Sequence, residues 1–373
     1  MAYEWGFMNI KFVDIQQQYK AYQAEIDMQI QTVLNESSFI MGKQVSELEA
    51  QLASYVGTKH AIACASGTEA LQLVLMGYGI KPGDEIITTP FTFIATVEII
   101  SLLGAKPVFV DVRRDTLNID VWKIKQAIGP RTRGIIAVDI FGQCADYDEI
   151  NQLAKAQGLF VIEDACQSFG AQYKGKMACS LAGIACTSFF PAKPLGCYGD
   201  GGMVFTDDDN TAGVLKSLRS HGAGSHKYEH VRIGINSRLD TLQAGILLAK
   251  FKHFPREIEL RNQIADYYTQ HLKGTAETPV ILSFNRSVYA QYNIIVKDRE
   301  SLQKRLQESR IPTAVYYPKP LHLQPAYADL GYQMGDFPIT EDVCERIIAL
   351  PMHPFLTREE QDFIIDKITK GDV

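Results

Sequence analysis

The feature that most constrains the fold of this chain is a regular alternation of short apolar segments with amphipathic ones, beginning near residue 42. The apolar segments read AIACA, DEIITT, PVFVDV, GIIAVDI and FVIEDA. In the segment GKQVSELEAQLASYVG, Val45, Leu48, Leu52 and Val56 recur at helical spacing and form one apolar face. Continuous apolar strands separated by amphipathic helices predict an α/β fold, with a mainly parallel sheet covered by helices on both faces.

The pattern changes after about residue 250 and predicts a second, smaller domain. A long charged helix is followed by the strand-like segment SVYAQYNIIV, the helical segment RESLQKRLQESR and a final helical stretch. This order of elements is typical of an α+β domain. We therefore predict a large domain over residues 1–253, which includes the N-terminal segment, and a small C-terminal domain over residues 254–373. The first seven residues, MAYEWGF, are interpreted as an extension ahead of Met8.

Composition limits the kinds of partner and the compartment. The formal net charge of −6 at pH 7 argues against binding to nucleic acid or to anionic membranes. No apolar run is long enough to cross a bilayer, and the N-terminus lacks the pattern of a signal peptide. The seven cysteines have no zinc-binding spacing, so we expect no metal site and interpret Cys144, Cys166 and Cys179 as core thiols. This cysteine usage predicts a cytoplasmic protein.

Polar residues follow several predicted strands, at the edge of a parallel sheet where ligands bind. After the strand AIACA come Ser66, Gly67 and Thr68, directly before a helix. Backbone N–H groups at a helix start can hold a phosphate, although serine and threonine are also common as plain helix caps. The strand FVIEDA leads to Asp164, whose carboxylate could pair with a cationic ligand atom or cap the following turn.

The segment SFFPAKPLGCYGDGG holds a lysine in a constrained loop. Pro191 and Pro194 flank Lys193, and proline fixes the backbone, so the loop aims the Lys193 amine in one direction. The glycines that follow lead into the strand MVFTDDD and not into a long helix, which argues against a Rossmann nucleotide-binding loop. An aimed lysine, a carboxylate at a strand end and a phosphate cradle together indicate a pyridoxal 5′-phosphate (PLP) site. There the amine bonds to the cofactor, and the carboxylate keeps the ring nitrogen protonated.

The chain resembles the DegT/StrS family of sugar-nucleotide aminotransferases, which are PLP enzymes of fold-type I. The resemblance runs from about Phe12 to about Leu356 and rests on the motifs SGTEAL, PFTFIAT, GAKPVFVDV, FGQCADYDEI, VIEDACQSFGA, SFFPAKPLGCYGDGG, GINSRLDTLQA and AVYYPKPLHLQPAY. It implies PLP as the cofactor, with pyridoxamine 5′-phosphate (PMP) during turnover. It also implies a homodimer in which each active site lies at the subunit interface.

The resemblance implies a role for each of eleven residues. Lys193 would be the catalytic residue that forms the Schiff base. The residues implied to bind the cofactor are Gly67, Thr68 and Ser188 at the phosphate, Phe93 stacked on the ring, Asp164 at the ring nitrogen, Gln167 at the ring hydroxyl, and Asn236 at the phosphate of the neighbouring subunit's cofactor. The residues implied to face the substrate are Arg238, Tyr316 and Tyr317. By local pattern, Asn236 could equally be a helix cap and Arg238 a surface charge.

The resemblance also implies a reaction: glutamate donates an amino group to a keto sugar nucleotide. A dehydratase branch of the family has histidine at the Schiff-base position, so Lys193 favours transamination. The motifs are most similar to transaminases that act at C3 of UDP-2-acetamido-2-deoxy-3-keto-glucuronic acid, in the biosynthesis of bacterial lipopolysaccharide O-antigen. Arg238 could bind the uronate carboxylate, whereas Tyr316 stands where this group would have histidine.

Two alternatives stay open at this stage. The first is a 3- or 4-aminotransferase that acts on a keto-6-deoxy sugar attached to dTDP, GDP or UDP, because the sequence does not locate the loops that contact the nucleotide. The second is a PLP-binding regulator without turnover. Such a regulator could lose Lys193 or Asp164 without penalty, yet both are present, and no basic arm or DNA-binding helix pair is visible.

Overall fold

The computed structural model describes residues 9–226 and 228–370, so the N-terminal extension MAYEWGF lies outside the described residues. The helices are α1 Ile15–Glu36, α2 Lys43–Val56, α3 Gly67–Gly77, α4 Ala95–Leu102, α5 Val121–Ala127, α6 Tyr147–Gln157, α7 Asp209–Leu218, α8 Thr241–Phe251, α9 Phe254–Leu272, α10 Arg299–Glu308, α11 Pro338–Arg346 and α12 Arg358–Thr369. The strands are β1 His60–Cys64, β2 Glu85–Thr88, β3 Lys106–Phe109, β4 Thr132–Val138, β5 Phe160–Asp164, β6 Gln172–Tyr173, β7 Lys176–Met177, β8 Ile184–Ser188, β9 Gly202–Thr206, β10 Asn285–Arg286, β11 Tyr292–Ile295 and β12 Ile347–Leu350.

Seven strands form the central sheet, in the order β1-β9-β8-β5-β4-β2-β3. The pairs from β8 to β3 are parallel, whereas β9 runs antiparallel to both of its neighbours, β1 and β8. The segment 189–201 returns the chain from β8 directly to the adjacent β9, and a direct return between adjacent strands makes them antiparallel. The predicted mainly parallel sheet is confirmed. The carboxyl ends of β1, β2, β5 and β8 therefore lie at one edge of the sheet.

In six of the seven central strands, all except β3, alternate residues enter two different cores, one on each face of the sheet. In β1, Ala61 and Ala63 contribute to the core shared with α2, α6 and α8, while Ile62 and Cys64 contribute to the core shared with α3, α4 and α7. The apolar face predicted for α2 is buried. Because both faces of the sheet are covered, the strands read as continuous apolar segments in the sequence.

Besides the two cores on the faces of the sheet, a separate core lies in the C-terminal part of the chain, around the antiparallel pair β11–β12 with α10 and α12. This C-terminal core is called the second core below, and the core that contains α2, α6 and α8 is called the large core. Helix α9 contributes to both cores: Phe254 and Ile258 pack in the large core, and Ile264 and Leu272 pack in the second. Near the other end of the chain, Ile10 also packs in the second core. The domain limits of 1–253 and 254–373 stay a prediction.

Among the helices that the structure describes, none combines the length and apolar character needed to cross a membrane. The described residues also contain no group of three or more histidine, cysteine or carboxylate side chains placed to hold a metal ion. Cys144 and Cys179 are buried in the large core, which confirms their interpretation as core thiols. Cys166 is only half-buried and lies in the wall of the cavity described below.

Candidate active site

A cavity of about 440 Å³ opens at the edge of the central sheet where β1, β5 and β8 end. Nine of the eleven residues singled out by the sequence line it: Gly67, Thr68, Phe93, Asp164, Gln167, Ser188, Lys193, Tyr316 and Tyr317. They come from distant parts of the chain, and the fold gathers them because parallel strands end at a common edge.

The start of α3 forms one wall of the cavity. The hydroxyl of Ser66 caps this helix by accepting a hydrogen bond from the backbone N–H of Glu69 at 3.1 Å. The N–H groups of Gly67 and Thr68 have no partner among the described residues. A Cβ atom at Gly67 would come within 2.7 Å of the Cβ of Ser188, so glycine lets the helix start lie close to the end of β8. Free N–H groups at a helix start attract anions such as phosphate.

The Asp164 carboxylate is buried at the end of β5. Its Oδ2 accepts a hydrogen bond of 2.7 Å from the Thr96 hydroxyl, and its Oδ1 accepts one of 3.2 Å from the backbone N–H of Cys166. These two donors fix the orientation of the carboxylate. An ionised carboxylate can accept about four hydrogen bonds, so Asp164 keeps acceptor capacity for a cationic ligand atom in the cavity.

Lys193 lies in a tight turn, in which its backbone N–H donates to the carbonyl of Phe190 at 2.8 Å. Its Nζ has no hydrogen-bond partner among the described residues and lies on the cavity wall. Burial lowers the pKa of Lys193, an effect that negative charge on Cys166 and Asp164 would oppose. A lowered pKa increases the fraction of neutral amine, which is the form that attacks a carbonyl.

A second lysine, Lys250 of α8, binds the backbone of the loop that carries Lys193. Its buried Nζ donates a hydrogen bond to the carbonyl of Gly196 and lies 4.9 Å from the ring centre of Tyr198. Burial lowers the pKa of Lys250 to about 8. At Gly196 a Cβ atom would come within 2.6 Å of the carbonyl oxygens of Phe190 and Pro191, so the loop folds back on itself with no room for a side chain.

Gln167 connects the cavity to the C-terminal part of the chain. Its Oε1 accepts a hydrogen bond of 2.9 Å from the backbone N–H of Phe141, and its Nε2 donates one of 3.3 Å to the hydroxyl of Tyr317. Burial raises the pKa of Tyr317 well above its ordinary value, so the phenol stays protonated at neutral pH. A protonated phenol can donate a hydrogen bond to a bound molecule.

Aromatic side chains surround the cavity mouth. Phe93 and Phe190 both line the cavity, yet they are 56% and 52% exposed in the single chain. Tyr316 is half-buried, and its ring centre lies 6.4 Å from that of Phe12. Two exposed phenylalanines beside a cavity are available to contact a flat ring or a second protein chain.

The remaining two of the eleven residues, Asn236 and Arg238, do not line the cavity. Asn236 is exposed, and its backbone forms an isolated antiparallel bridge with Ser220. Arg238 is half-buried, and its guanidinium has no hydrogen-bond or salt-bridge partner among the described residues. The resemblance assigns Asn236 to the neighbouring subunit's site, which a single chain does not contain, and both roles stay predictions.

Sequence reasoning missed several residues of the site. Thr96, Phe190, Asp200 and Gln291 all line the cavity. Thr96 had a signal, because it lies in the motif PFTFIAT at the start of α4, one helical turn from Thr92. Gln291 had none, since it lies far along the chain, just before β11, and reaches the cavity through tertiary packing.

Comparison with known proteins points to one family. The model of the DegT/DnrJ/EryC1/StrS aminotransferase family matches residues 20–369. The chain is 50% identical over 348 residues to a UDP-2-acetamido-2-deoxy-3-oxo-D-glucuronate aminotransferase of Pseudomonas aeruginosa, covering 93% of this chain and 96% of the relative. It is 44% identical to a pleiotropic regulatory protein of Geobacillus stearothermophilus (97% and 98% covered). It is 41% identical to a UDP-N-acetyl-3-dehydro-alpha-D-glucosamine 3-aminotransferase of Acidithiobacillus ferrooxidans (94% and 95% covered).

Solved structures agree with the sequence comparisons. The fold superposes with a TM-score of 0.94 on a DegT/DnrJ/EryC1/StrS aminotransferase from Brucella abortus, which is 44% identical, with 97% of this chain and 99% of that chain covered. It superposes with a TM-score of 0.91 on NtdA from Bacillus subtilis with bound cofactor PMP, which is 30% identical, with 99% and 86% covered.

Proposed function

The chain belongs to the DegT/DnrJ/EryC1/StrS aminotransferase family, and from that premise we propose that it transfers the amino group of glutamate to C3 of a UDP-linked 2-acetamido-2-deoxy-3-keto-glucuronic acid, with PLP as cofactor. The observation that carries the proposal is one cavity with an unpaired amine at Lys193 and an oriented carboxylate at Asp164. This pair is what PLP chemistry needs at its aldehyde and at its ring nitrogen.

The residues present fit PLP. The cavity of about 440 Å³ has room for the cofactor and a sugar ring. The unpaired N–H groups of Gly67 and Thr68 would hold the phosphate, together with the Ser188 hydroxyl. The buried Asp164 would bind the protonated ring nitrogen. Phe93 would lie against the ring, and a donor on Gln167 would meet the ring hydroxyl.

When bound, the cofactor supplies an electron-accepting ring that stabilises negative charge at the carbon next to the transferred nitrogen. The protein's part is to place groups and to move protons. The Lys193 amine, whose pKa burial lowers, is the base that takes a proton from the donor and returns it at the acceptor carbon. Asp164, held by Thr96, keeps a proton on the ring nitrogen. The Tyr317 phenol donates a hydrogen bond at the substrate side of the cavity.

The choice of substrate rests on two observations. The Pseudomonas aeruginosa relative, 50% identical over nearly its full length, is named for a 3-oxo-glucuronate substrate, and the Acidithiobacillus ferrooxidans relative is also named for position 3. Arg238 does not line the cavity of the single chain, and its unpaired guanidinium is proposed to bind the uronate carboxylate in the dimer, because arginine binds a carboxylate through two parallel hydrogen bonds.

A second candidate is a regulator that binds PLP without turnover, and the name of the Geobacillus stearothermophilus relative favours it. A binding protein would not need a base whose amine is kept unpaired, and Lys193 has that environment here. A third candidate keeps transamination but takes a keto-6-deoxy sugar attached to dTDP, GDP or UDP. Comparing rates on the 3-keto uronate and on such a sugar separates the first candidate from the third.

We propose a cytoplasmic homodimer with the active sites at its interface, serving lipopolysaccharide O-antigen biosynthesis. Support for the dimer comes from apolar side chains exposed in the single chain at the cavity mouth, Phe93 and Phe190, and from Ile233. Ile233 is 89% exposed and lies in the segment that leads to Asn236. Exposed apolar groups of this size beside a site favour burial against a partner.

The testing experiment is an absorption spectrum of the purified protein reconstituted with PLP, recorded before and after adding glutamate. We expect a visible band that shifts toward the ultraviolet as PMP forms. Adding the 3-keto uronate should then restore the band. A band that glutamate leaves unchanged would favour the regulator, and a band restored only by a keto-6-deoxy sugar would favour the third candidate.

A further inference from the structure

The loop that carries Lys193 is bound to helix α8 at two neighbouring points. The backbone N–H of Tyr198 donates a hydrogen bond of 2.8 Å to the Oε1 of Gln243, and the carbonyl of Gly196 accepts one from the Nζ of Lys250. Gln243 and Lys250 are seven residues apart on α8, so they lie on one face of the helix, about two turns from each other. One helix face therefore binds the loop a few residues after Lys193.

Between this attachment and Lys193 the loop is closely folded. The backbone N–H of Lys193 donates to the carbonyl of Phe190 at 2.8 Å, and that of Cys197 donates to the carbonyl of Phe189 at 2.8 Å. Gly196 lies so near Phe190 that a Cβ atom would come within 2.6 Å of its carbonyl oxygen. Because closely packed groups transmit displacements, a shift of the Gly196 carbonyl would also move the turn that directs the Lys193 amine.

The donor to the Gly196 carbonyl is a buried lysine, although a carbonyl does not require a charged donor. Lys250 is 3% exposed, and its Nζ lies 4.9 Å from the ring centre of Tyr198. Burying an ammonium group is unfavourable, and a neutral donor would satisfy the carbonyl without that cost. A charged donor, however, forms a shorter and stronger hydrogen bond. The choice of lysine therefore favours a fixed position of the carbonyl over stability of the fold.

The charge of Lys250 is set by burial and by groups of α9 and of the loop. Burial has the largest effect and lowers the pKa of Lys250 to about 8. The Glu257 carboxylate favours the ammonium form, as a thiolate at Cys197 would, and Arg261 disfavours it. A pKa of about 8 leaves the ammonium form predominant at neutral pH.

Helices α1 and α2 also pack against α8. From α1, the Nε2 of Gln18 donates hydrogen bonds of 2.8 and 2.9 Å to the Glu257 carboxylate, and the hydroxyl of Tyr22 donates one of 3.0 Å, so this carboxylate is fixed near Lys250. Three tyrosines of α1 and α2 have a raised pKa and stay neutral where Lys250 titrates: Tyr19 through its hydrogen bond to Asp27, and Tyr22 and Tyr55 through burial.

We propose that Lys250 is a positioning residue for transamination: its ammonium group, bound to the Gly196 carbonyl, sets the direction in which the loop presents the Lys193 amine. The inference rests on the proposed function, in which that amine is the reacting group. Loss of the Lys250 proton weakens the charge-assisted hydrogen bond, so the loop is held less firmly. The reaction rate should therefore respond to the charge of a lysine that lies outside the cavity lining.

The first test measures the loop itself. Hydrogen exchange followed by mass spectrometry, on the full chain with and without PLP, reports on the backbone of residues 189–201. Lys250→Met, of similar length but without a donor, should exchange about tenfold faster there. Lys216→Met, the same change at an exposed lysine of α7, is the matched control and should exchange like the wild type. Equal exchange of residues 189–201 in Lys250→Met and wild type, in both conditions, would overturn the proposal.

The second test is the single-turnover rate with glutamate as a function of pH. The rate of the wild type divided by that of Lys250→Met should be about ten at about pH 7. This ratio should fall as the pH rises above about 8, because the wild type then loses the charge that the variant lacks. Groups that titrate alike in both proteins cancel in the ratio. A ratio that does not change with pH would give Lys250 a merely structural role and would also overturn the proposal.

Glu257→Gln provides an independent variant. Glutamine keeps an acceptor for Gln18 and Tyr22 but removes a charge that favours the ammonium form of Lys250, so the loss of rate at alkaline pH should move to lower pH. If Lys250→Met does not fold, Glu257→Gln decides, and an unchanged pH dependence refutes the role of Lys250. A wild-type protein that does not react with glutamate at all would instead contradict the proposed function, and hydrogen exchange would still test the loop.

Discussion

At the scale of single residues, two lysines, the buried Lys250 and the half-buried Lys193, show how the surroundings of an amine decide between a structural and a chemical role. Lys250 donates to a backbone carbonyl, whereas the Nζ of Lys193 has no partner among the described residues and faces the cavity. Burial lowers the pKa of both amines. The unpaired amine is the one with its lone pair available for chemistry.

Replacing Lys193 by alanine or histidine should reduce transamination by about 10³-fold or more, because no other described amine lines the cavity and the proton-moving base is lost. Single-turnover rates with glutamate measure this loss. Lys81→Ala, a change at an exposed surface lysine, is the control and should react at the wild-type rate. A Lys193→Ala enzyme with a normal rate would refute the assignment.

Thr96→Val should weaken PLP binding by about tenfold, the magnitude expected when a hydrogen bond to a charged group is removed. Valine has nearly the shape of threonine but cannot donate a hydrogen bond. In the wild type, the Thr96 hydroxyl donates one of 2.7 Å to the Asp164 Oδ2. Reconstitution titrations followed by absorbance give the dissociation constant. Thr32→Val, whose hydroxyl bonds to a carbonyl on the exposed face of α1, serves as control. Equal affinities of Thr96→Val and wild type would show that this hydrogen bond does not position Asp164.

At the scale of elements, the antiparallel strand β9 decides where Lys193 lies. The loop 189–201 connects adjacent strands, and Gly202 at the start of β9 approaches the backbone of Ser66 so closely that a Cβ atom would come within 2.3 Å of it. The start of α3 therefore lies against the first residue of β9, directly after the loop that carries Lys193. The order of strands, and not any one motif, produces this contact.

Gly196→Ala should disturb the loop, since the added Cβ would come within 2.6 Å of two carbonyl oxygens. We expect a destabilisation of about 1–3 kcal/mol, typical of overpacking, and a similar loss of PLP affinity. Gly183→Ala adds the same methyl group where there is open space, so its melting temperature and PLP affinity should stay near those of the wild type. If both variants behave alike, the loop is not as rigid as the contacts imply.

The helices and strands around the central sheet could be predicted from the sequence because apolar periodicity is a local signal. That Lys193, Asp164 and the start of α3 lie at one edge of the sheet could be expected for the same reason, as each lies at the end of a strand or after one. The position of Gln291 in the cavity wall could not be predicted from the sequence, because it depends on how the second core packs against the sheet. The position of β9 between β1 and β8 is likewise a matter of tertiary pairing.

At the scale of the whole molecule, the proposed dimer makes a prediction that a monomer cannot satisfy. If Asn236 of one subunit completes the site of the other, mixing inactive Lys193→Ala and Asn236→Ala chains should restore activity, to about a quarter of wild type for random pairing. The measurement is the transamination rate after the two variants are unfolded and refolded together. No recovery in material shown to be dimeric would place Asn236 in its own subunit's site, and an active Asn236→Ala chain before mixing would place it outside any site.

The contribution of His353 to the stability of the fold should be lost in mild acid. Burial and the nearby Arg261 lower the pKa of His353 to about 4, against an ordinary value of 6.5. Between about pH 6.5 and about pH 4, His353 is therefore protonated in the unfolded chain but not in the folded chain. This contribution to stability is consequently lost as pH falls. Asp139, whose pKa burial raises to about 7, acts in the opposite direction and is the same in the variant described next.

His353→Gln should remove the histidine contribution. Between about pH 7 and about pH 5, the free energy of unfolding measured in urea should therefore change less unfavourably in the variant than in the wild type. His226→Gln, a change at an exposed histidine, is the control. An unchanged pH dependence in His353→Gln would assign the acid sensitivity to other groups.

The position of β9 also has a consequence for how the protein is made. During synthesis, β1 leaves the ribosome long before β9, yet the two strands pair along their full length. The lysine loop can be held in place only after β9 has inserted between β1 and β8, so a nascent chain that stops short of β9 has no cofactor pocket. Pairing between strands so distant in sequence is slow to form. Capture of the cofactor is therefore a late event, and free PLP should protect the newly folded enzyme, but not its shorter precursors, from proteolysis.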